Sequence, residues 1–285
     1  MGVRIQTRFL VIFCVSWRSE ALSKLPVTGL VLTLNGQKYL KDCLQSLDFC
    51  DQLLVIDSQS TDQTREIAQA CGARVIINAW NGPAAQFDFA FQHVTTAWVV
   101  SLDQDEILSD QLRHNIIAAL TNPGQYAGFL CPRTSFYFDR FLRHSGWYPD
   151  LLPRVFALAQ TTVHVSGPHY GFTVVGKTQK LKGDIIHYPY ENLQQHIEKI
   201  NYYTQIAANE MSAQGKRAGV CTALGHGLAR FIKIFILRRG FLDGRAGLVL
   251  AINSFFYAFH KYIRVAEYHS QKKLKEQDYR LPHQQ

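Results

Sequence analysis

"VVSLDQDE", residues 99–106, sets four β-favouring residues against three carboxylates, Asp103, Asp105 and Glu106, within four positions. The first half reads as a buried strand. The second half cannot be buried in the same way, because like charges repel and desolvating one unpaired carboxylate costs several kcal/mol. Water or a cation must face them. On an extended segment, side chains at i and i+2 share a face, so Asp103 and Asp105 can point into one cleft. Hard oxygen ligands suit Mg²⁺ or Mn²⁺, and Mg²⁺ is held by one or two carboxylates with water and substrate phosphates completing its shell. The alternative for such a pair is a solvated acidic loop or an N-cap cluster for the next helix. The setting of the stretch decides between them.

Upstream, "VTGLVLTLN" is a β-rich run, and "GQKYLKDCLQSLDFCD" places Tyr39, Leu40, Cys43, Leu44 and Leu47 at helical spacing. "QLLVIDSQS" is the next strand, followed by a helix that residues 60–62 can cap and Gly72 can close. "ARVIINAW", a helix over 84–94 and "AWVVSLDQDE" complete the rhythm. Strands alternating with helices predict a parallel sheet covered on both faces, and such sheets bind ligands at the carboxyl ends of their strands. Thr33 and Asn35, Asp57 with Ser58, and residues 103–106 all fall there. That placement favours the metal reading of Asp103 and Asp105. Asp57 is open to two readings, a carboxylate accepting from the N–H of a base such as uracil, or a cap for the following helix. Neither G-x-G-x-x-G nor a P-loop motif is present, which argues against dinucleotide and P-loop chemistry.

Beyond a predicted helix ending near Asn122, residues 126–188 are short β-rich pieces broken by Gly and Pro. They predict an antiparallel extension closing over the sheet edge. "ENLQQHIEKINYYTQIAANEMSAQG" then predicts a helix with Leu193, Ile197, Ile200 and Tyr203 on one face.

The 285 residues are 47% hydrophobic and 18% charged, ample for a core, and no run approaches the roughly 18 consecutive apolar residues of a membrane span. Near the N-terminus, Arg4 and Arg8 adjoin a short apolar run, but no small-residue cleavage site follows, so residues 1–24 read as an extension. The six cysteines form no C-x-x-C pair and read as reduced core residues, with no zinc-ligand spacing. Net charge is +8, but residues 214–285 hold 13 Lys/Arg against 4 Asp/Glu, while the first 213 hold 17 against 18. The basic character belongs to the tail and implies an anionic partner surface.

"TLN…YLKDCLQSL", "LLVIDSQSTDQTREIA", "SLDQDE", "RHSGWYPD" and "RRGFLDGRAGLVLA", in this order, resemble family 2 glycosyltransferases of the GT-A fold, and most of all the lipopolysaccharide-core β-glucosyltransferase branch. The resemblance covers about residues 25–261. It implies a Rossmann-like mixed sheet with helices on both faces, an antiparallel extension and C-terminal amphipathic helices. The implied activity is inverting transfer of a sugar, glucose in this branch, from a UDP donor to a surface glycolipid, with a divalent cation. By the family pattern Asp57 contacts the base, Asp103 the donor ribose or the metal, and Asp105 is the principal metal ligand. Thr33 and Asn35 join them on the donor side.

Three departures stand out. Asn35 is followed by Gly36 rather than Glu; Gln86-Phe87-Asp88 replaces Q-R-N, losing a cation; and Pro168-His169-Tyr170 replaces V-H-E. Inverting transfer needs a base for the acceptor hydroxyl proton. With no Glu at 170, Asp150 and His169 are the candidates, each with a structural alternative as a turn residue or a strand histidine; Asp139 and Glu106 are outsiders. A transferase that charges a polyprenyl phosphate, and a degenerate relative that binds nucleotide sugar without transfer, are the rival functions.

The division expected is an extension over 1–24, a catalytic domain over 25–213 and a basic helical tail over 214–285. The apolar stretch 246–259 is too short to span and contains Asn253 and Ser254, so it is expected to lie in a membrane interface with its cations on anionic lipid. Packing on the catalytic domain is the alternative. Cations interleaved with apolar and aromatic residues argue against nucleic acid as the partner. The sequence thus predicts a cytoplasmic enzyme, peripheral on the inner face of the cytoplasmic membrane, meeting a nucleotide-sugar donor and a lipid-linked glycan acceptor.

Overall fold

The computed structural model describes residues 24–166 and 169–276; the N-terminal extension and Cys14 lie outside them. The expected rhythm is present. β1 (Leu25–Thr33), α1 (Leu40–Ser46), β2 (Cys50–Asp57), α2 (Thr64–Ala70), β3 (Arg74–Ile77), α3 (Pro83–Phe91) and β4 (Trp98–Asp103) alternate, with the strands parallel in the order β3-β2-β1-β4. Parallel strands covered on both faces are continuous apolar runs, and β1 and β2 are buried accordingly. Their alternating side chains feed two layers. Val31, Leu44, Val55 and Leu102 lie in one, and Leu30, Leu54, Ile56 and Phe87 in the other.

Next come β5 (Glu106–Leu108), α4 (Asp110–Thr121), β6 (Tyr126–Tyr137), β7 (Arg140–Phe141) and β8 (Asp150–Ala157). Ser109 caps α4 by accepting from the Leu112 N–H. β9 (Thr161–Ser166), β10 (His169–Val174), β11 (Lys177–Lys180) and β12 (Ile185–His187) follow. The expected antiparallel extension is present, and it joins the sheet edge itself. β8 pairs antiparallel with both β4 and β6, so these strands continue the sheet in its own plane. The reason is burial: β6 is apolar on both faces, as a central strand requires. Only the β9–β10 hairpin stands apart as a second sheet, and Phe172 brings it against Phe87 and Phe156.

The tail is helical. α5 (Leu193–Ala213) is capped by Asn192. α6 (Val220–Ile232) runs through a π-helical turn, Lys233–Leu237, and a 3₁₀ turn, Gly240–Asp243, into α7 (Gly244–Glu276). α6 and α7 form a hairpin with α5 against α7. The hairpin closes tightly at Gly227, where a Cβ would stand 2.8 Å from the Phe255 ring. Ala246, Leu250, Ala251 and Ala258 of α7 are buried, so much of 246–259 packs inward. The 18 residues Val220–Leu237 are, by length and composition, apolar enough to cross a membrane, with mean hydropathy 1.5. Counting consecutive apolar residues missed this stretch because Arg230 and Lys233 interrupt it.

Candidate active site

The carboxyl ends of β1, β2 and β4 open into a cleft of about 820 Å³, walled on its other side by residues 146–154, β10 and the segment after β12. Thr33, Asp103, Asp105 and Asp150 all line it. Topology explains the convergence, since β8 lies antiparallel beside β4 and carries Asp150 and Arg154 toward the acidic loop.

The carboxylates are distributed by an alternating chain of charges. Arg154 Nη2 donates to Asp103 Oδ2 at 2.6 Å and to Glu106 Oε1 at 2.8 Å. Arg133 Nη1 donates to the same Glu106 oxygen at 2.8 Å, while its Nε and Nη2 reach Asp150 Oδ2 at 3.1 and 2.6 Å. Glu106 is fully buried. Burial alone would raise its pKa, but Arg154 and Arg133 outweigh that and hold it below the usual carboxylate range. Tyr170 donates to Asp103 Oδ1 and accepts from Arg154 Nη1 at 2.7 Å. Its phenol is pushed far up by burial, despite Arg154, so it stays protonated. Both oxygens of Asp103 are therefore engaged, one by an arginine and one by a tyrosine.

Asp105 differs from the other three. Among the described residues the basic group within ion-pair distance is His187, with Nε2 3.8 Å from Oδ2, while Lys199 acts on it from farther off. Burial, and then the charges of Asp103 and Glu106, raise its pKa to about 7. His187 is lowered to about 3 by burial and by Arg133, so it is neutral, and its Nδ1 sits 3.0 Å from Ser135 Oγ. A carboxylate held among like charges beside a neutral imidazole is a donor pair that a hard divalent cation would satisfy. Among the described residues no three or more His, Cys, Asp or Glu side chains form a closed cage. The half-set suits an ion that takes its remaining ligands from a diphosphate. Lys199 also lines the cleft, its Nζ donating to Pro189 O at 2.9 Å.

The donor-side residues mostly brace the rim. Asp57 is fully buried and accepts the N–H and O–H of Ser60, closing the turn after β2 without capping α2, which starts at Thr64; Ser58 lines the cleft instead. Asn35 Oδ1 accepts from the Thr61 N–H at 2.9 Å, joining the β1 and β2 loops. Thr33 donates to Gln104 Oε1 at 2.6 Å. That glutamine explains Gly36, because a Cβ there would run into the Gln104 amide and stand 2.8 Å from Thr33 Oγ1. The other two departures from the family pattern meet in space. Phe87, where the branch carries Arg, packs in a tilted ring contact, 4.8 Å between centroids, against Tyr170, where it carries Glu. One aromatic contact occupies both positions. His169 opens β10, and its side chain lies outside the described residues.

Arg133, Arg154, His187 and Lys199 escaped the sequence reading. Each reaches the cleft from a separate strand or helix, and "IIHYPY" alone carries no ligand spacing.

Fold and cleft together define a nucleotide-sugar-transferase class of α/β protein. Residues 30–209 match the family described as glycosyl transferase family 2, and the chain belongs to that family; it is a glycosyltransferase, with a fold of the GT-A type. Its curated relatives include an uncharacterized glycosyltransferase of Rickettsia prowazekii, 27% identical over 85% of this chain and 86% of that one. The lipopolysaccharide core biosynthesis glycosyltransferase LpsC of Rhizobium meliloti is 23% identical over 92% of this chain and all of its own. Among solved structures, S. aureus TarS 1-349 in complex with UDP-GlcNAc is 13% identical over 87% of this chain and 92% of that chain, with a TM-score of 0.46. Glucosyl-3-phosphoglycerate synthase from Mycobacterium tuberculosis, in complex with Mn²⁺, UDP and glucosyl-3-phosphoglycerate, is 18% identical over 68% and 81%, with a TM-score of 0.44.

Proposed function

We propose that this glycosyltransferase moves a sugar, glucose in the first instance, from a UDP donor to a bacterial surface glycolipid of the lipopolysaccharide-core kind, with inversion. One observation carries the reading: the cleft leaves Asp105 as the carboxylate without an arginine, paired only with neutral His187. The full-length likeness to LpsC supports the acceptor class.

Asp105 and His187 would hold Mg²⁺ or Mn²⁺, which when bound would offset the negative charge of a leaving diphosphate. Asp103, clamped by Arg154 and Tyr170, faces the donor as a hydrogen-bond acceptor. The acceptor hydroxyl oxygen bonds to the anomeric carbon as the carbon–oxygen bond to the nucleoside diphosphate breaks. Asp150 takes the hydroxyl proton. Arg133 fixes Asp150 through Oδ2 alone, and Oδ1 accepts no hydrogen bond among the described residues. Trp147 lines the same cleft and would offer an aromatic surface to a sugar ring.

The test is a donor screen with full-length protein, Mn²⁺ and extracted membrane lipid, scored as UDP release. Release with a UDP-sugar that requires the lipid is expected. Tyr170 in place of the branch glutamate favours a second reading, a degenerate binder; UDP-sugar binding without release for any donor would establish it.

A further inference from the structure

α6 exposes Val220, Leu224, Leu228 and Ile232, each four residues after the last, and the π turn adds Ile236. α7 exposes Leu248, Ile252 and Phe256 at the same spacing. Residues four apart share one side of a helix. Adjoining small residues, Ala223 and Gly227 of α6 and Ala251 and Ala258 of α7, are buried. The hairpin thus leaves an apolar row exposed on each helix, and its tip adds Leu237, Phe241 and Leu242. A soluble surface seldom leaves so many large apolar side chains contiguous.

Charge selects the occupant. Between residues 215 and 266 nine lysines and arginines stand against a single carboxylate, Asp243, and that one is buried. Arg238, Arg239 and Arg245 are exposed at the tip beside the apolar side chains. Apolar groups flanked by cations suit the boundary between acyl chains and anionic headgroups. The packing at the tip argues against a span. Residues 237–243 are tied to the catalytic domain, with Arg238 O accepting from the Ser145 N–H at 2.9 Å and Asp243 from the Arg143 and His144 N–H groups and Ser145 Oγ. Farther along α6, His226 stacks on Tyr262 of α7 at 4.0 Å. α6 is thus held against α7, with its tip fixed on the catalytic domain.

We infer that the outer side of the α6–α7 hairpin docks flat on an anionic bilayer surface. The same tip braces the rim of the cleft: Gly146 lies against the Arg238 side chain, and Gly146, Trp147 and Pro149 line the cleft. Docking therefore brings the cleft mouth to the bilayer, where a glycolipid is met without leaving the membrane. That link to catalysis rests on the glycolipid-acceptor reading, whereas the docking surface does not.

The test is flotation of full-length protein with phosphatidylcholine vesicles, with and without phosphatidylglycerol, at low and high salt. Wild type should float with phosphatidylglycerol vesicles and be released at high salt, by about tenfold or more in partition. Leu224→Asp with Leu228→Asp should abolish flotation; both side chains are exposed, and an unchanged melting temperature confirms folding. Lys233→Glu with Arg239→Glu should remove the phosphatidylglycerol dependence, at about fivefold or more per residue. Absent flotation of wild type, or unchanged flotation of the aspartate pair, overturns the inference. So does a wild-type dimer that the aspartate pair converts to monomer without any vesicle binding, which would assign the surface to a second copy. UDP release from a UDP-sugar donor with a water-soluble acceptor and no vesicles, measured alongside, tests the transferase reading separately.

Discussion

The cleft and the outer side of the hairpin violate ordinary burial in opposite directions. In the cleft, charged groups are drawn inward and all the carboxylates but Asp105 are matched by arginine: Arg154 between Asp103 and Glu106, Arg133 between Glu106 and Asp150. On the hairpin, apolar groups are exposed and unmatched. A buried charge network demands fixed geometry, because losing one member strands the others. An exposed apolar row demands nothing of the fold and waits for a partner. The first is built to hold a reaction in place, the second to hold the enzyme somewhere.

The largest effect that separates the two regions is catalytic. Asp150→Asn should lower turnover by about 10² to 10⁴ while leaving UDP-sugar affinity in place; steady-state rates with donor-binding titration check it. Should His169→Ala lose more, the base moves to His169. Arg154→Ala should come next, at about 3–5 kcal/mol of stability by denaturant unfolding, since it leaves Asp103 and Glu106 without their shared cation. A loss below about 1 kcal/mol would mean that the network is not structurally required.

Helix α5 joins the two regions through His196, which is buried, contacts Tyr137 Oη at 2.8 Å and stacks on Tyr190, with Lys199 the nearest cation. Burial, then Lys199, lowers its pKa to about 4. The unfolded chain, with an ordinary value near 6.5, takes up the proton first as pH falls. The contribution is complete above pH 6.5 and is lost toward pH 4. It amounts to at most about 3 kcal/mol. Stability measured across that range should fall less steeply in His196→Gln than in wild type. The smallest expected effect lies on the hairpin. Leu228→Ser should change stability by less than about 0.5 kcal/mol, against about 2–5 kcal/mol for Leu250→Ala on the buried side of α7. Thermal unfolding of both variants sharpens the contrast.

The parallel core was legible because its signals are local: apolar strands of period two, helices of period 3.6, polar residues at each strand end. The same logic put Asp103 and Asp105 in the cleft. What stayed illegible is set by long-range pairing. Arg154 lies 51 residues from Asp103 in the chain, and only the antiparallel docking of β8 on β4 brings them together. The coupling of Phe87 with Tyr170 joins α3 to β10, so two departures looked like two losses when they make one contact. In the tail, composition pointed to residues 246–259, yet much of that stretch is buried and the exposed row begins on α6. An apolar helix does not announce which side its neighbours will cover.

The central claim is that Asp105 is poised for a cation that serves a nucleotide donor. Calorimetric titration of UDP into the full-length protein, with Mn²⁺ and then with chelator, tests it most directly when repeated on Asp105→Asn. The account predicts tight UDP binding that depends on Mn²⁺ in wild type, and loss of that dependence in a variant whose melting temperature is preserved. Equal UDP affinity in both proteins with Mn²⁺ present would contradict it.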